Sequence, residues 1–236
     1  MRSILALSTL ALTATAKTLS ELQEMAYQQL ELSGALTPEL RGLTQSQMGL
    51  LNDYGCWCYF EGNHGKGKGR PADALDALCK SLHDGYECIV SDMDDAGTPC
   101  VPWTIPYTEA FGGGLPGGLT EADIISVCET NNGGAGTCEA MACKVEGMFV
   151  QDYFLYSLNG GVIDAAKRHA NGQFDVNTEC PTTAGIASEK DCCGSYPNRH
   201  PFKTYGGQRG CCVSSTYNAN MFSCCNDGTI RVTCTP

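Results

Sequence analysis

The sequence predicts a mainly α-helical fold, an antiparallel pair of disulfide-linked helices, followed by a small cysteine-rich tail of irregular or β structure. Residues 72–90 and 138–158 repeat apolar side chains at helical spacing. The chain of 236 residues carries 16 cysteines, which favours a disulfide framework over metal thiolates. After residue 180 the cysteines are mostly adjacent pairs with few aliphatic residues between them. Such a segment cannot bury a core and must be held by bridges.

The first 16 residues have the pattern of a secretory signal peptide. Arg2 is followed by an apolar run from Ile4 to Leu12 and by the small residues Ala14-Thr15-Ala16. An N-terminal membrane anchor is the alternative, but the apolar run is shorter than the ~20 residues that span a bilayer. We therefore expect a secreted, extracellular protein with three parts: a signal peptide at 1–16, a helical domain at 17–180 and a cysteine-rich module at 181–236.

Charge excludes one class of partner. The formal net charge is −11, with only 15 lysines and arginines. An acidic surface repels phosphate backbones, so we expect no nucleic-acid binding. The amphipathic stretches between Lys17 and Asn52 are interpreted as faces that cover the core, with a membrane-surface role as the alternative.

The segment Tyr54–Cys88 is the strongest candidate for a functional site. Two closely spaced cysteines lead into a Gly/Lys-rich loop, Pro71 then starts a helix, and that helix carries a His-Asp dipeptide. The loop sequence HGKGKG is interpreted as a solvated loop, with an anion or phosphate cradle as the alternative. The acidic residues after the helix, from Ser91 to Gly97, are interpreted as a turn rather than an EF-hand, because Ala96 and Trp103 stand where oxygen ligands are required.

A loop and a short helix separate the two helical stretches. Residues 99–118 are rich in proline and glycine, which predicts an irregular loop. Thr120 and Asp123 can then cap a short helix that runs to Glu129. The second long helix is expected to begin at Cys138 and end at Leu158.

Together these motifs resemble secreted phospholipase A2, over roughly residues 43–180. The resemblance rests on YGCWC, the Gly-rich loop, Pro-x-Asp-x-x-Asp, the helix with cysteine and His-Asp, and the second helix that starts at a cysteine pair. It implies calcium held by backbone oxygens at Trp57, Tyr59 and Glu61 and by Asp84, and hydrolysis of the sn-2 ester of a phospholipid. It also implies three catalytic-site positions: His83 activates water, Glu146 orients the histidine, and Tyr86 lies beside them.

Two alignments with that family remain open, because the family has two adjacent cysteines where this chain has Cys79 alone. The ungapped alignment puts Leu82 in the histidine position and His83 in the calcium-aspartate position, with Leu82 facing the loop and His83 turned away from the water position. A one-residue bulge restores His83 and Asp84 to both positions but displaces Tyr86. We favour the ungapped alignment, because Val145 then faces Gly85 and both halves of a family bridge are missing together. Calcium binding is in question in either case, because Tyr59 and Glu61 replace glycines.

The resemblance implies four bridges in the helical domain. They are Cys58 with Cys79, Cys56 with Cys180, Cys128 with Cys143, and Cys138 with either Cys88 or Cys100. The tail weakly resembles the double-cysteine repeats of galaxin-type extracellular matrix proteins, which implies a matrix partner, and we expect it to fold as its own unit.

Two functions remain open. One is a calcium-dependent esterase that acts on phospholipid at a membrane surface. The other is a catalytically degenerate module of the same fold that binds lipid, calcium or matrix.

Overall fold

The computed structural model describes residues 19–32, 38, 42, 47–60, 64–108, 120–182 and 188–234. The signal peptide expected at residues 1–16 lies outside these ranges, as does Glu61. The helices are α1 (Leu19–Leu32), α2 (Ala74–Asp95), α3 (Glu121–Asn131), α4 (Cys138–Leu158) and α5 (Val176–Glu179), with 3-10 turns at Ala165–Lys167 and His169–Asn171. The strands are β1 (Lys190–Cys193), β2 (His200–Lys203), β3 (Arg209–Cys212), β4 (Ser215–Asn218), β5 (Ser223–Cys224) and β6 (Ile230–Arg231). The fold is thus mixed, helical up to residue 179 and β in the tail.

Capping side chains fix where the long helices begin. Asp73 accepts a hydrogen bond from the backbone N–H of Asp76 at the start of α2, and Thr137 accepts one from Ala140 at the start of α4. Thr120 and Asp123 form the predicted capping box of α3. The prediction of α4 is confirmed at both ends. The acidic stretch from Ser91 to Asp95 continues α2 instead of turning, because no helix breaker occurs before Gly97.

The core lies where α1, α2, α3 and α4 meet. α2 and α4 pack closely at Gly85, where an added Cβ would lie 2.7 Å from Cγ1 of Val145. This is the juxtaposition that the ungapped alignment predicts. Gln29 on α1 donates from Nε2 to the Gly147 carbonyl of α4 over 3.1 Å. No helix among the described residues is both long and apolar enough to cross a bilayer.

All 16 cysteines fall in the described part of the chain, and they form eight disulfides. The bridges Cys58–Cys79, Cys56–Cys180 and Cys128–Cys143 are as implied by the resemblance, and Cys138 pairs with Cys100. The Cα atoms of Cys58 and Cys79 are 5.0 Å apart, well inside the range for a bridge. A fully paired set of cysteines is typical of an oxidising, extracytoplasmic environment.

The tail is a series of three antiparallel hairpins, β1–β2, β3–β4 and β5–β6. A double cysteine lies at or just after the end of the first strand of each hairpin, and neighbouring residues on a strand point to opposite faces. The first cysteine of each pair can therefore form a disulfide with a cysteine earlier in the chain, and the second with a cysteine later in the chain. The bridges follow this order as Cys193–Cys211, Cys212–Cys224 and Cys225–Cys234. The sequence showed the double cysteines but not this regular linkage.

The tail is joined to the helical domain by one covalent bond and several polar contacts. Cys192 pairs with Cys88 of α2. Asp92 of α2 accepts two hydrogen bonds from the Arg199 guanidinium, at 2.8 and 2.9 Å, and one from the Tyr196 hydroxyl at 2.8 Å. Cys88, one of the two partners expected for Cys138, thus has its disulfide partner beyond residue 180.

Candidate functional site

The start of the Gly-rich loop is fixed by one buried carboxylate. Asp76 is fully buried and accepts backbone N–H bonds from Cys56, Trp57 and Ala72, each 2.8 Å long. Burial raises the pKa of Asp76, and these three bonds partly offset that rise. Gly55 lies opposite with φ +58°, and a Cβ there would be 2.5 Å from Cγ of Asp76. Only glycine therefore fits at residue 55 without displacing the carboxylate.

Residues after α4 hold the same loop from the other side. His169 lies with Nε2 2.7 Å from the Gly55 carbonyl, and Lys167 donates to Asp73 over 2.8 Å. The Tyr54 hydroxyl donates to the same Asp73 carboxylate over 2.5 Å. Burial would raise the pKa of Asp73, but the bonds from Lys167 and Tyr54 lower it overall. Sequence reasoning missed Lys167 and His169, because nothing local marks a partner more than 90 residues away.

The loop, α2 and the segment after α2 enclose a cleft of about 440 Å³. Aromatic rings and imidazoles form much of its wall, and charged side chains also line it. The side chains that line the cleft include Trp57, His64, His83, Tyr86, Val90, Trp103, Asp84, Glu87 and Lys190. Lys190 belongs to β1 and pairs with Glu87, so the tail contributes to this cleft.

His83 lies on the loop side of α2, beside the backbone of Trp57 and Tyr59. Burial lowers its pKa to about 4, and hydrogen bonding to the backbone at Tyr59 and Trp57 acts in the opposite direction. Its Nε2 is buried without a hydrogen-bond partner. The ring is 6.3 Å from that of Trp57. The ring therefore faces the loop, as the bulged alignment expects, although the bridges and Gly85 follow the ungapped alignment.

The position of Leu82 explains how His83 can face the loop while the bridges and Gly85 follow the ungapped alignment. Leu82 is 1% exposed and belongs to the hydrophobic core. A step of about 100° along the helix brings His83 beside the loop carbonyls rather than away from them. The expectation that the ungapped alignment turns His83 away from the loop is therefore wrong.

Glu146 is fully buried and bound by tyrosines. The Tyr86 hydroxyl donates to Oε1 over 2.7 Å, and the Tyr107 hydroxyl donates to Oε2. Burial, together with the nearby Glu146 carboxylate, raises the pKa of Tyr86 well above its usual value. The structure thus brings the predicted residues Tyr86 and Glu146 together. Tyr107 was not predicted, because it lies in an irregular segment without a period.

Two of the remaining predicted calcium ligands have other partners. Asp84 pairs with Lys80, four residues earlier on α2, and the Trp57 carbonyl accepts a bond from the Tyr59 N–H over 2.8 Å. Burial raises the pKa of Asp84, and Lys80 opposes that rise. Calcium takes six to eight oxygen ligands. Within the described ranges, no group of three or more His, Cys, Asp or Glu side chains could hold a metal ion. Calcium binding stays a prediction, with Glu61 outside the described residues.

The HGKGKG loop packs against the domain at three points. The Lys68 N–H donates to the Cys56 carbonyl over 3.2 Å, and its Nζ lies 3.4 Å from Oδ1 of Asn177. A Cβ at Gly67 would be 2.4 Å from the Trp57 ring, so the loop backbone lies directly on that indole. These contacts hold the loop against the domain, and the anion cradle stays a prediction.

Comparison with known proteins adds no family to this description. No protein-family model matches the chain, and no curated protein matches it. The site is therefore interpreted from its own geometry.

Proposed function

We propose that the protein is a secreted binding protein without hydrolytic activity, built on a phospholipase A2-like helix pair, whose cleft takes an amphipathic lipid. The observation that carries this proposal is the environment of Glu146, the residue expected to orient His83. A general base needs a group that orients its ring. Both carboxylate oxygens of Glu146 instead accept hydrogen bonds from tyrosine hydroxyls, Oε1 from Tyr86 and Oε2 from Tyr107.

The lining of the cleft supports a lipid as the ligand. Trp57, Tyr86, Val90 and Trp103 give it an apolar wall. Charged groups of both signs also line it, Asp84 and Glu87 with Lys190. An apolar pocket with a few charged groups suits a molecule with a chain and a head group.

A hydrolysis assay tests the absence of catalysis. Phospholipid vesicles are incubated with the wild type and with His83→Gln, each with and without calcium. We expect background cleavage in all four samples. Calcium-dependent cleavage that is lost in His83→Gln would contradict the proposal and support the esterase, because general-base catalysis contributes about 10²- to 10⁴-fold.

A binding assay tests the lipid. A single-chain zwitterionic lysophospholipid is titrated below its micellar concentration, and binding is measured by calorimetry. Val90→Asp places a charge on the apolar wall, so we expect it to weaken binding at least tenfold. Val162 is 66% exposed and does not line the cleft, so Val162→Asp should bind as the wild type does. Equal loss in both variants, or no binding by the wild type, would overturn the lipid assignment.

A matrix-binding role for the tail is the second candidate. Its support is the row of linked hairpins, together with large apolar side chains that remain exposed there, such as Val213 and Val232, each 72% exposed. Retention of the isolated wild-type protein on extracellular matrix is compared with retention after removal of residues 194–236 combined with Cys193→Ser, because Cys193 would otherwise lose its partner Cys211. We expect the truncation to lose retention, and equal retention of both proteins would contradict the matrix role.

A further inference from the structure

We infer that His64 and His83 together bind one divalent transition-metal ion of the Cu²⁺ or Zn²⁺ class at the cleft. Their ring centroids lie 5.3 Å apart, with the ring planes tilted by 57°. Both nitrogens of His64, and Nε2 of His83, are buried without a hydrogen-bond partner. The inference does not depend on the lipid proposal.

Three buried imidazole nitrogens without partners in one cluster are unusual. Buried polar atoms are nearly always hydrogen-bonded, and an exception calls for an explanation such as an ion. Imidazole nitrogen is a preferred ligand of zinc, copper and nickel. Because the rings of His64 and His83 are in contact, both can coordinate the same metal ion.

Neighbouring rings hold His64 in place without hydrogen-bonding to it. Its ring stacks on Trp103 at 5.6 Å with a 26° angle, and meets the Tyr86 ring edge-on at 5.5 Å. These contacts fix the ring plane while leaving both nitrogens unpartnered. Orientation by packing lowers the entropic cost of binding, because the ligand is already ordered.

The remaining coordination positions would be taken by water from the cleft. The described residues provide no third His, Cys, Asp or Glu in position to complete the site. A site with two protein ligands and open positions should bind more weakly than a structural zinc site. Calcium should not compete, because it requires oxygen ligands.

The two tryptophans give a direct readout. Trp57 and Trp103 are the only tryptophans in the chain, and both line the cleft with the two histidines. Cu²⁺ is titrated into the secreted protein, without an affinity tag and without lipid, while tryptophan fluorescence and heat are recorded. We expect quenching with one ion per chain, reversal by excess Zn²⁺, and no effect of Ca²⁺.

Histidine variants decide the ligands. His64→Gln and His83→Gln should each weaken binding at least tenfold, whereas His200→Gln, on the tail, should bind as the wild type does. No binding by the wild type, or unchanged binding in either of the first two variants, would overturn the inference. If circular dichroism shows that a variant does not fold, the ligands are identified in the wild type by NMR. Zn²⁺ should then shift the imidazole proton resonances of His64 and His83 but not of His200, and the reverse pattern would contradict the site.

Discussion

At the scale of single residues, His64 and His83 couple folding to pH. Burial lowers the pKa of each ring from about 6.5 to about 4, and the neighbouring His83 adds to the effect on His64. The unfolded chain therefore binds more protons than the folded protein between these values. This contribution to stability is fully present above pH 6.5 and is lost as the pH falls towards 4.

We expect the free energy of unfolding to decrease between pH 7 and pH 5 more steeply in the wild type than in the double variant His64→Gln/His83→Gln. Each histidine contributes at most about 1.4 kcal/mol per pH unit in this range. Urea unfolding at several pH values measures how the free energy of unfolding of each protein changes with pH. The carboxylates contribute equally to this pH dependence in both proteins, so the difference between them reports the two histidines. Parallel slopes would show that these rings titrate normally in the folded protein.

At the scale of the elements, the contact between α2 and α4 depends on Gly85. Replacing an exposed helical glycine by alanine usually stabilises a helix by about 1 kcal/mol. Here the added methyl group would lie 2.7 Å from Val145, and overpacking a core costs typically 1–3 kcal/mol.

We therefore expect Gly85→Ala to destabilise the protein, measured by chemical denaturation. Val145→Ala removes the clashing methyl groups, so the double variant Gly85→Ala/Val145→Ala should be more stable than Val145→Ala alone. Additive effects of the two substitutions would indicate that α2 and α4 do not meet at this point.

Local signals predicted the helices well and the site only in part. α4 was predicted at both ends because its apolar period begins at a cysteine and ends before Asn159-Gly160. The family resemblance implied three bridges outright and left the fourth, that of Cys138, open between Cys88 and Cys100. The roles of Asp76, Lys167 and His169, and the inward position of His64, were not predicted, because each depends on partners distant in sequence or on backbone geometry that leaves no periodic pattern.

At the scale of the whole molecule, α2 joins the helical domain to the tail. It carries Cys88 and Asp92, and it also forms one wall of the cleft. The tail boundary near residue 181 stays a prediction, but the two parts are covalently coupled across it.

We expect truncation after residue 182 to leave Cys88 unpaired and to produce mixed disulfides or covalent dimers on secretion. The same truncation with Cys88→Ser should give a monomer that keeps the four bridges of the helical domain. Non-reducing electrophoresis and disulfide mapping by mass spectrometry compare the two. Monomeric, correctly bridged protein from both truncations would contradict the coupling.

The linked hairpins also set how far the tail can be stretched. Along the covalent path from Cys192 to Cys234, three bridges with Cα separations of 5.3 to 5.5 Å alternate with adjacent cysteines. At 3.8 Å per adjacent pair, this path cannot exceed about 30 Å, whereas the same residues reduced and extended would reach roughly 140 Å. A pulling force on the C-terminus therefore passes through sulfur–sulfur bonds into α2, and the hydrogen bonds of the hairpins do not carry it. The tail is a nearly inextensible tether that gains more than 100 Å of slack, by the same estimate, only when its bridges are reduced.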